Sequence, residues 1–151
     1  MRKKIAVLSD THGLLRPEVI EKIENVDLIL HAGDINKQEI IDRLEQIAPL
    51  LVVRGNNDKE WAEHLPKHIE TEIEGIKVHM VHNKKDLPKD LSPYDLVVYG
   101  HSHKYLEIRE NNVLLLNPGS CGKRRFDQEI TFAILTIEAG EILVEKVLIP
   151  H

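Results

Sequence analysis

Leu96-Val97-Val98-Tyr99-Gly100-His101-Ser102-His103 runs four apolar residues straight into a glycine and two imidazoles. A short continuous apolar run of this kind is a strand buried on both faces, and Gly100 marks where it gives way to loop. A glycine-led loop frees both histidines from the alternation of a strand and lets them turn toward one centre. Alone, the pair could be an ordinary turn. Its weight depends on whether the rest of the chain delivers partners to the same place.

Three more runs do so. Ile5-Ala6-Val7-Leu8 ends in Ser9-Asp10-Thr11-His12-Gly13, Leu28-Ile29-Leu30 in His31-Ala32-Gly33-Asp34, and Leu50-Leu51-Val52-Val53 in Arg54-Gly55-Asn56-Asn57-Asp58. Pro17 suits the first turn of an intervening helix with an apolar stripe of Val19, Ile20 and Ile23. Asn36, with Glu39 three residues on, predicts a capping-box start to a second helix that faces Ile40, Ile41, Leu44 and Ile47 inward. These are βαβ units. Right-handed crossovers make parallel strands end on one side of a sheet, so three polar loops are expected along one edge.

The second half changes pattern. Residues 69–73, Glu74-Gly75 and residues 76–81 read as a hairpin whose return strand ends at His82. Residues 84–93, polar and with two prolines, predict a loop or short helix before the strand at Leu96. Residues 106–108 and 113–116 pair across Asn111-Asn112 and lead into the turn Asn117-Pro118-Gly119-Ser120. Residues 131–137 and 142–149, joined through Ala139-Gly140, make a last hairpin with alternating faces. No repeat, low-complexity segment or linker interrupts residues 1–151, which are expected to form one domain.

Composition narrows the chemistry. No apolar run approaches the roughly 18 residues of a membrane span, and the N-terminus enters a strand without a signal-peptide pattern, so a cytoplasmic protein with no membrane partner is expected. A single cysteine, Cys121, excludes a disulfide framework and a thiolate cluster, leaving nitrogen and oxygen donors for any metal. Twenty-five acids against twenty bases give a net charge of -5, which argues against a broad phosphate-tracking surface and hence against a stable nucleic-acid complex.

Asp10, His12, Asp34, Asn56, His82, His101 and His103 all follow apolar runs at or near strand ends. Seven nitrogen and oxygen donors exceed what one metal needs with open positions left, and suit two metals sharing a carboxylate. The ordered pattern Asp-x-His, Gly-Asp, Gly-Asn-x-Asp, His, Gly-His-x-His resembles the calcineurin-like metallophosphoesterase superfamily, over Ile5 to about Ser120. The short length and the Asn117-Pro118-Gly119-Ser120 turn look most like its small YfcE-type phosphodiesterase branch.

That resemblance implies an α/β fold, a four-layer α-β-β-α sandwich of two mixed β-sheets with helices on the outer faces. It implies a first metal on Asp10, His12 and His103, a second on Asn56, His82 and His101, and Asp34 bridging them, with a hydroxide between the ions as nucleophile. The mixed donor set favours two divalent transition-metal ions, Mn2+ first, with Ni2+, Co2+, Fe2+ or Zn2+ as alternatives, over magnesium or calcium. The implied function is metal-dependent hydrolysis of small phosphodiesters or nucleotides. Alternatives are a noncatalytic binding scaffold, as in the retromer subunit of this fold, and a nuclease. The partner is a small phosphoester substrate, with a homo-oligomer left open.

Where many relatives carry histidine after the metal-binding asparagine, this chain has Asn57, which can donate a hydrogen bond to a phosphoryl oxygen but not a proton. Arg16 and the run Lys123-Arg124-Arg125 are further candidates for phosphate contacts. His31 is expected beside the ligands or in packing, and His64, His68, His79 and His151 facing solvent. Trp61 is assigned to packing, and neither Ser9 nor Cys121 has an activating partner that would make it a nucleophile.

Overall fold

Ile5 and Val7 face one core and Ala6 and Leu8 another, all four fully buried, so the first strand is sandwiched between two apolar layers. In the computed structural model, which describes residues 2–123 and 128–150, this strand is β1 (Arg2–Leu8). It is followed by α1 (Pro17–Ile23), β2 (Leu28–His31), α2 (Gln38–Glu45) and β3 (Leu50–Val52). Then come β4 (His68–Ile73), β5 (Ile76–Val81), β6 (Leu96–Val98), β7 (Leu106–Glu110), β8 (Val113–Asn117), β9 (Ile130–Glu138) and β10 (Glu141–Ile149).

The strands form two mixed sheets of five, ordered β10-β9-β1-β2-β3 and β4-β5-β6-β8-β7. Parallel pairing of β1, β2 and β3 in one sheet, and of β5, β6 and β8 in the other, sends their carboxyl ends to common edges. The hairpins close through Glu74-Gly75, Asn111-Asn112 and Ala139-Gly140. Each turn pair has positive φ at both residues, the geometry that matches strand twist.

Between the sheets, Ile5, Val7, Leu28 and Leu30 meet Val78, Met80, Leu96 and Leu116. On the outer face of the first sheet, α1 and α2 cover Ala6, Leu8, Ile29 and Phe132. Helix α2 buries Ile40, Ile41 and Leu44, each worth roughly 1.5–3 kcal/mol. The fourth layer is thin. Val81, Val97, Tyr99 and Val113 are covered by Leu87, Leu91 and Tyr94 of the β5–β6 connection, whose only regular element is a 3-10 turn, Lys84–Asp86. Among the described residues, no helix is long and apolar enough to cross a membrane.

Two local expectations fail. The capping box does not form: α2 begins at Gln38 after Lys37, with no side-chain cap, and Asn36 is left-handed at φ 72°. The Asn36 N–H is taken instead by the Asp58 carboxylate, 2.8 Å away. His79 is not solvent-facing but only 4% exposed, because the connection bearing Tyr94 folds over β5. Its Nδ1 lies 3.1 Å from Glu70 Oε1, which also accepts the Tyr94 hydroxyl. His151, Arg124 and Arg125 lie outside the described residues.

Candidate metal centre

The loops leaving β1 and β2 on one sheet, and β5 and β6 on the other, converge over the seam between the sheets. They gather two groups of donors whose ligand atoms lie within 4.8 Å of one another: Asp10, His12 and His103, and Asp34, His82 and His101. Asp34 lies between the groups, with Oδ2 3.1 Å from His82 Nε2 and 3.7 Å from His12 Nε2. Asn56 adjoins the second group through Oδ1, 3.2 Å from His101 Nδ1. All but His101 and Asn56 are buried.

Hydrogen bonds behind the donors fix their orientation. Asp10 Oδ2 accepts from the Ser9 hydroxyl at 2.6 Å and from the His101 backbone N–H, leaving Oδ1 pointed at the imidazoles. His82 Nδ1 lies 2.7 Å from the Ala32 carbonyl and donates to it, so in the neutral ring Nε2 bears a lone pair. That lone pair faces Asp34 Oδ2 at 3.1 Å, close but not aligned as a hydrogen bond, and Nε2 is buried without a partner. Two lone pairs at this distance repel unless a proton or a cation sits between them. Asp10 Oδ1 is likewise buried and unpartnered, 3.3 Å from His103 Nε2 and 3.5 Å from His12 Nε2. An orphaned carboxylate oxygen and an orphaned imidazole nitrogen, 4.0 Å apart, fit ligation of a divalent transition ion.

The titration of these groups agrees. Burial alone would raise the Asp10 pKa, but the His103 and His12 imidazoles beside Oδ1, the charge of His82 and the Ser9 hydroxyl hold it far below the usual carboxylate range. Asp34 is also lowered, with burial opposed by His82 and the Asn57 backbone N–H. Burial would lower His82, yet Asp34 and Asp10 raise it above its ordinary value. Without metal, a proton is drawn to the place a cation would take.

The other residues singled out from the sequence each have partners of their own. Asn57 donates its backbone N–H to Asp34 Oδ1 at 2.8 Å and one side-chain N–H to Oδ2 at 3.3 Å, so it clamps that carboxylate. Arg16 stands outside both donor groups, its Nε donating to the Gly122 carbonyl at 2.9 Å. His31 is fully buried: Gly33 N–H donates to Nδ1 and, with that nitrogen an acceptor, Nε2–H donates to Thr11. Ser9 is spent on Asp10, and burial pushes the Cys121 thiol up to about 12, so neither is an activated nucleophile. Trp61 packs at the margin of the helix-side core.

Two important residues were not singled out from sequence. Asp58, only 2% exposed, accepts the backbone N–H groups of Asp34, Ile35, Asn36 and Gly55, tying the β2 and β3 loops together. Asn117 donates to the Gly100 carbonyl and the Ser102 hydroxyl, bracing the histidine loop. The spacing Gly-Asn-x-Asp and the Asn-Pro-Gly-Ser turn were visible, but nothing local distinguishes such a brace from ordinary turn chemistry.

The calcineurin-like phosphoesterase superfamily domain matches residues 3–140. A phosphodiesterase of Methanocaldococcus jannaschii is 31% identical over 140 residues, 78% of this chain and 84% of the relative. A predicted phosphoesterase from Streptococcus pneumoniae superposes with a TM-score of 0.77 at 25% identity, over 98% of this chain and 90% of that one. Vps29 of Chaetomium thermophilum superposes at 0.79, with 18% identity and 97% of each chain covered, a likeness of fold alone.

Proposed function

This chain belongs to the calcineurin-like phosphoesterase superfamily, and from that premise we propose that it is a phosphodiesterase that hydrolyses small phosphodiesters or nucleotides at a centre of two divalent transition ions. The observation carrying this reading is the pair of donor groups meeting at Asp34, with Asp10 Oδ1 and His82 Nε2 buried and unpartnered. Asp10, His12 and His103 would hold one ion, Asn56, His82 and His101 the other, and Asp34 both. Bound there, the ions supply positive charge to the phosphoryl oxygens and lower the pKa of the attacking water.

The protein's own groups then orient rather than react. Asp58, Ser9 and the Ala32 carbonyl hold the donors at fixed angles. Asn57 keeps Asp34 in place with one amide hydrogen and has a second to offer a phosphoryl oxygen. Arg16, anchored through Nε, has its terminal nitrogens for the same use. The Asn57 amide offers a hydrogen bond but no proton to the leaving oxygen, so substrates with good leaving groups are favoured.

A cytoplasmic location fits an enzyme of small phosphoesters. Scaffold function is not favoured by the likeness to Vps29, which speaks only of fold, whereas a scaffold has no need of a complete donor set. The test is elemental analysis after manganese saturation, alongside turnover of bis(p-nitrophenyl) phosphate. Two ions per chain with manganese-dependent turnover is expected. One ion or none overturns the binuclear assignment.

A further inference from the structure

A cavity of about 530 Å³ opens beside His101, which belongs both to its wall and to the second donor group. Lys84, Lys85 and Lys104 line it, with no carboxylate among its described lining residues, although Glu107 stands behind Tyr105 and accepts its hydroxyl. Its wall includes Tyr99, Tyr105 and Leu106. In a chain of net charge -5, three lysines around an aromatic hollow at the reaction centre differ from the scattered charges of a solvated face. Tyr99 is only 4% exposed, and its hydroxyl is buried without a hydrogen-bond partner among the described residues.

Other openings compete less well. A cavity of about 590 Å³ near Asp95, Arg109 and Ile142 lies at the opposite ends of β5, β6 and β8, away from every candidate donor. A groove of about 340 Å³ includes Asn56 and His82 and shares Asn83 with the lysine-rimmed cavity. Two openings flanking one centre suit an ester with two arms.

Resting on the phosphodiesterase reading, the geometry points to this cavity as the subsite for one arm of the substrate: a nucleotide, whose flat base meets Tyr105 and Leu106 at the cavity wall and whose further phosphate, not the scissile one, meets Lys84, Lys85 and Lys104. The volume lies in the range of pockets that enclose molecules of nucleoside size and larger. Aromatic side chains receive bases of any sequence, and ammonium groups add attraction for a second phosphate.

The experiment has two arms. With manganese, kcat/KM is compared for methyl p-nitrophenyl phosphate, thymidine 5′-(p-nitrophenyl phosphate) and the latter carrying a 3′-phosphate. In each, water adds to phosphorus and p-nitrophenolate leaves. The order should rise along that series, with the 3′-phosphate adding about tenfold, the scale of one charge-assisted hydrogen bond. Lys84→Ala and Lys104→Ala should shrink the ratio between the last two substrates toward one, whereas Lys22→Ala, with the same charge change on α1, should not. Without metal, thymidine 3′,5′-bisphosphate should bind the chelator-treated protein saturably in calorimetry, and more weakly in Lys84→Ala and Lys104→Ala. Equal kcat/KM for the methyl and nucleotide esters, or bisphosphate binding indifferent to both lysines, overturns the subsite. Lysine-dependent binding without hydrolysis of any ester would keep the subsite and remove the phosphodiesterase reading.

Discussion

Five of the seven candidate donors hold backbone conformations that L-residues avoid: Asp10, His12, Asp34, His101 and His103 all lie between φ 47° and 74°. A left-handed conformation costs a non-glycine residue about 1–2 kcal/mol, so these loops carry strain that the surrounding hydrogen bonds must hold. His101 allows the cost to be measured, since its side chain is exposed. His101→Gly removes the strain and His101→Ala keeps it. After allowance for glycine's greater freedom when unfolded, the glycine variant should be more stable by about 1 kcal/mol in the metal-free protein. Urea midpoints that are equal, or that favour alanine, would show that the backbone there is relaxed. His31 gives a pH signature instead. Burial pushes it down to about 4 against the raising influence of Asp10 and Asp34, while His82 and His12 lower it further. Protonation would also place a hydrogen on Nδ1, against the Gly33 N–H. Because the folded pKa lies below the unfolded value, near 6.5, its contribution is complete above pH 6.5 and lost as pH falls toward 4. The loss is at most about 3 kcal/mol. The stability difference between wild type and His31→Gln, both without metal, should therefore shrink over that interval. A constant difference would mean that His31 does not titrate there.

The strand-end glycines decide how closely the two sheets' loops approach. A Cβ on Gly100 would lie 2.0 Å from Ser9 Oγ and 2.7 Å from Asp10 Oδ2, and one on Gly55 would lie 2.2 Å from Asp34 N and Oδ1. Gly100→Ala must push Asp10 away from the imidazoles, and a displacement of about 1 Å at such a site costs on the order of 10²-fold in rate. Manganese-dependent kcat/KM should fall by that scale while the circular dichroism of the sheets is kept. Wild-type activity would show that the β1 and β6 loops are not in contact as described. These glycines also explain what was readable from sequence. Apolar runs ended by glycine and donors are local signals, and they located every strand that delivers a candidate donor. The braces were not readable, because Asp58 reaches Asp34, and Asn117 reaches Gly100, only after the loops have folded. The missed cap at Asn36 has the same origin, a distant carboxylate taking a backbone N–H that a local pattern would have assigned to Glu39. His79 was misplaced because its cover, Tyr94, comes from a connection with almost no regular structure.

Each donor group straddles the seam of the molecule. Asp10 and His12 come from the first sheet and His103 from the second, whereas Asp34 comes from the first and His82 and His101 from the second. No such group survives separation of the sheets, so an ion held there binds the folded chain and not the unfolded one. Binding at a hundredfold excess over Kd adds about 2.7 kcal/mol per site, which for a chain of this size raises the thermal midpoint by roughly 5–11 °C. The two sites should depend unequally on their ligands. His103 belongs to one group, so His103→Asn should lose about half of the manganese-induced shift. Asp34 Oδ2 lies within 3.7 Å of an imidazole from each group, so Asp34→Asn, which removes charge while keeping size, should weaken both sites and abolish most of the shift. Both variants should still fold without metal, because the substitutions fall in loops on a packed scaffold. The measurement is the difference in midpoint with and without manganese for the three proteins. Comparison within each protein cancels the direct effect of the substitution on the metal-free fold. A full shift in Asp34→Asn would exclude Asp34 as a ligand shared by two ions, and an equal loss in both variants would leave the two groups acting as one site.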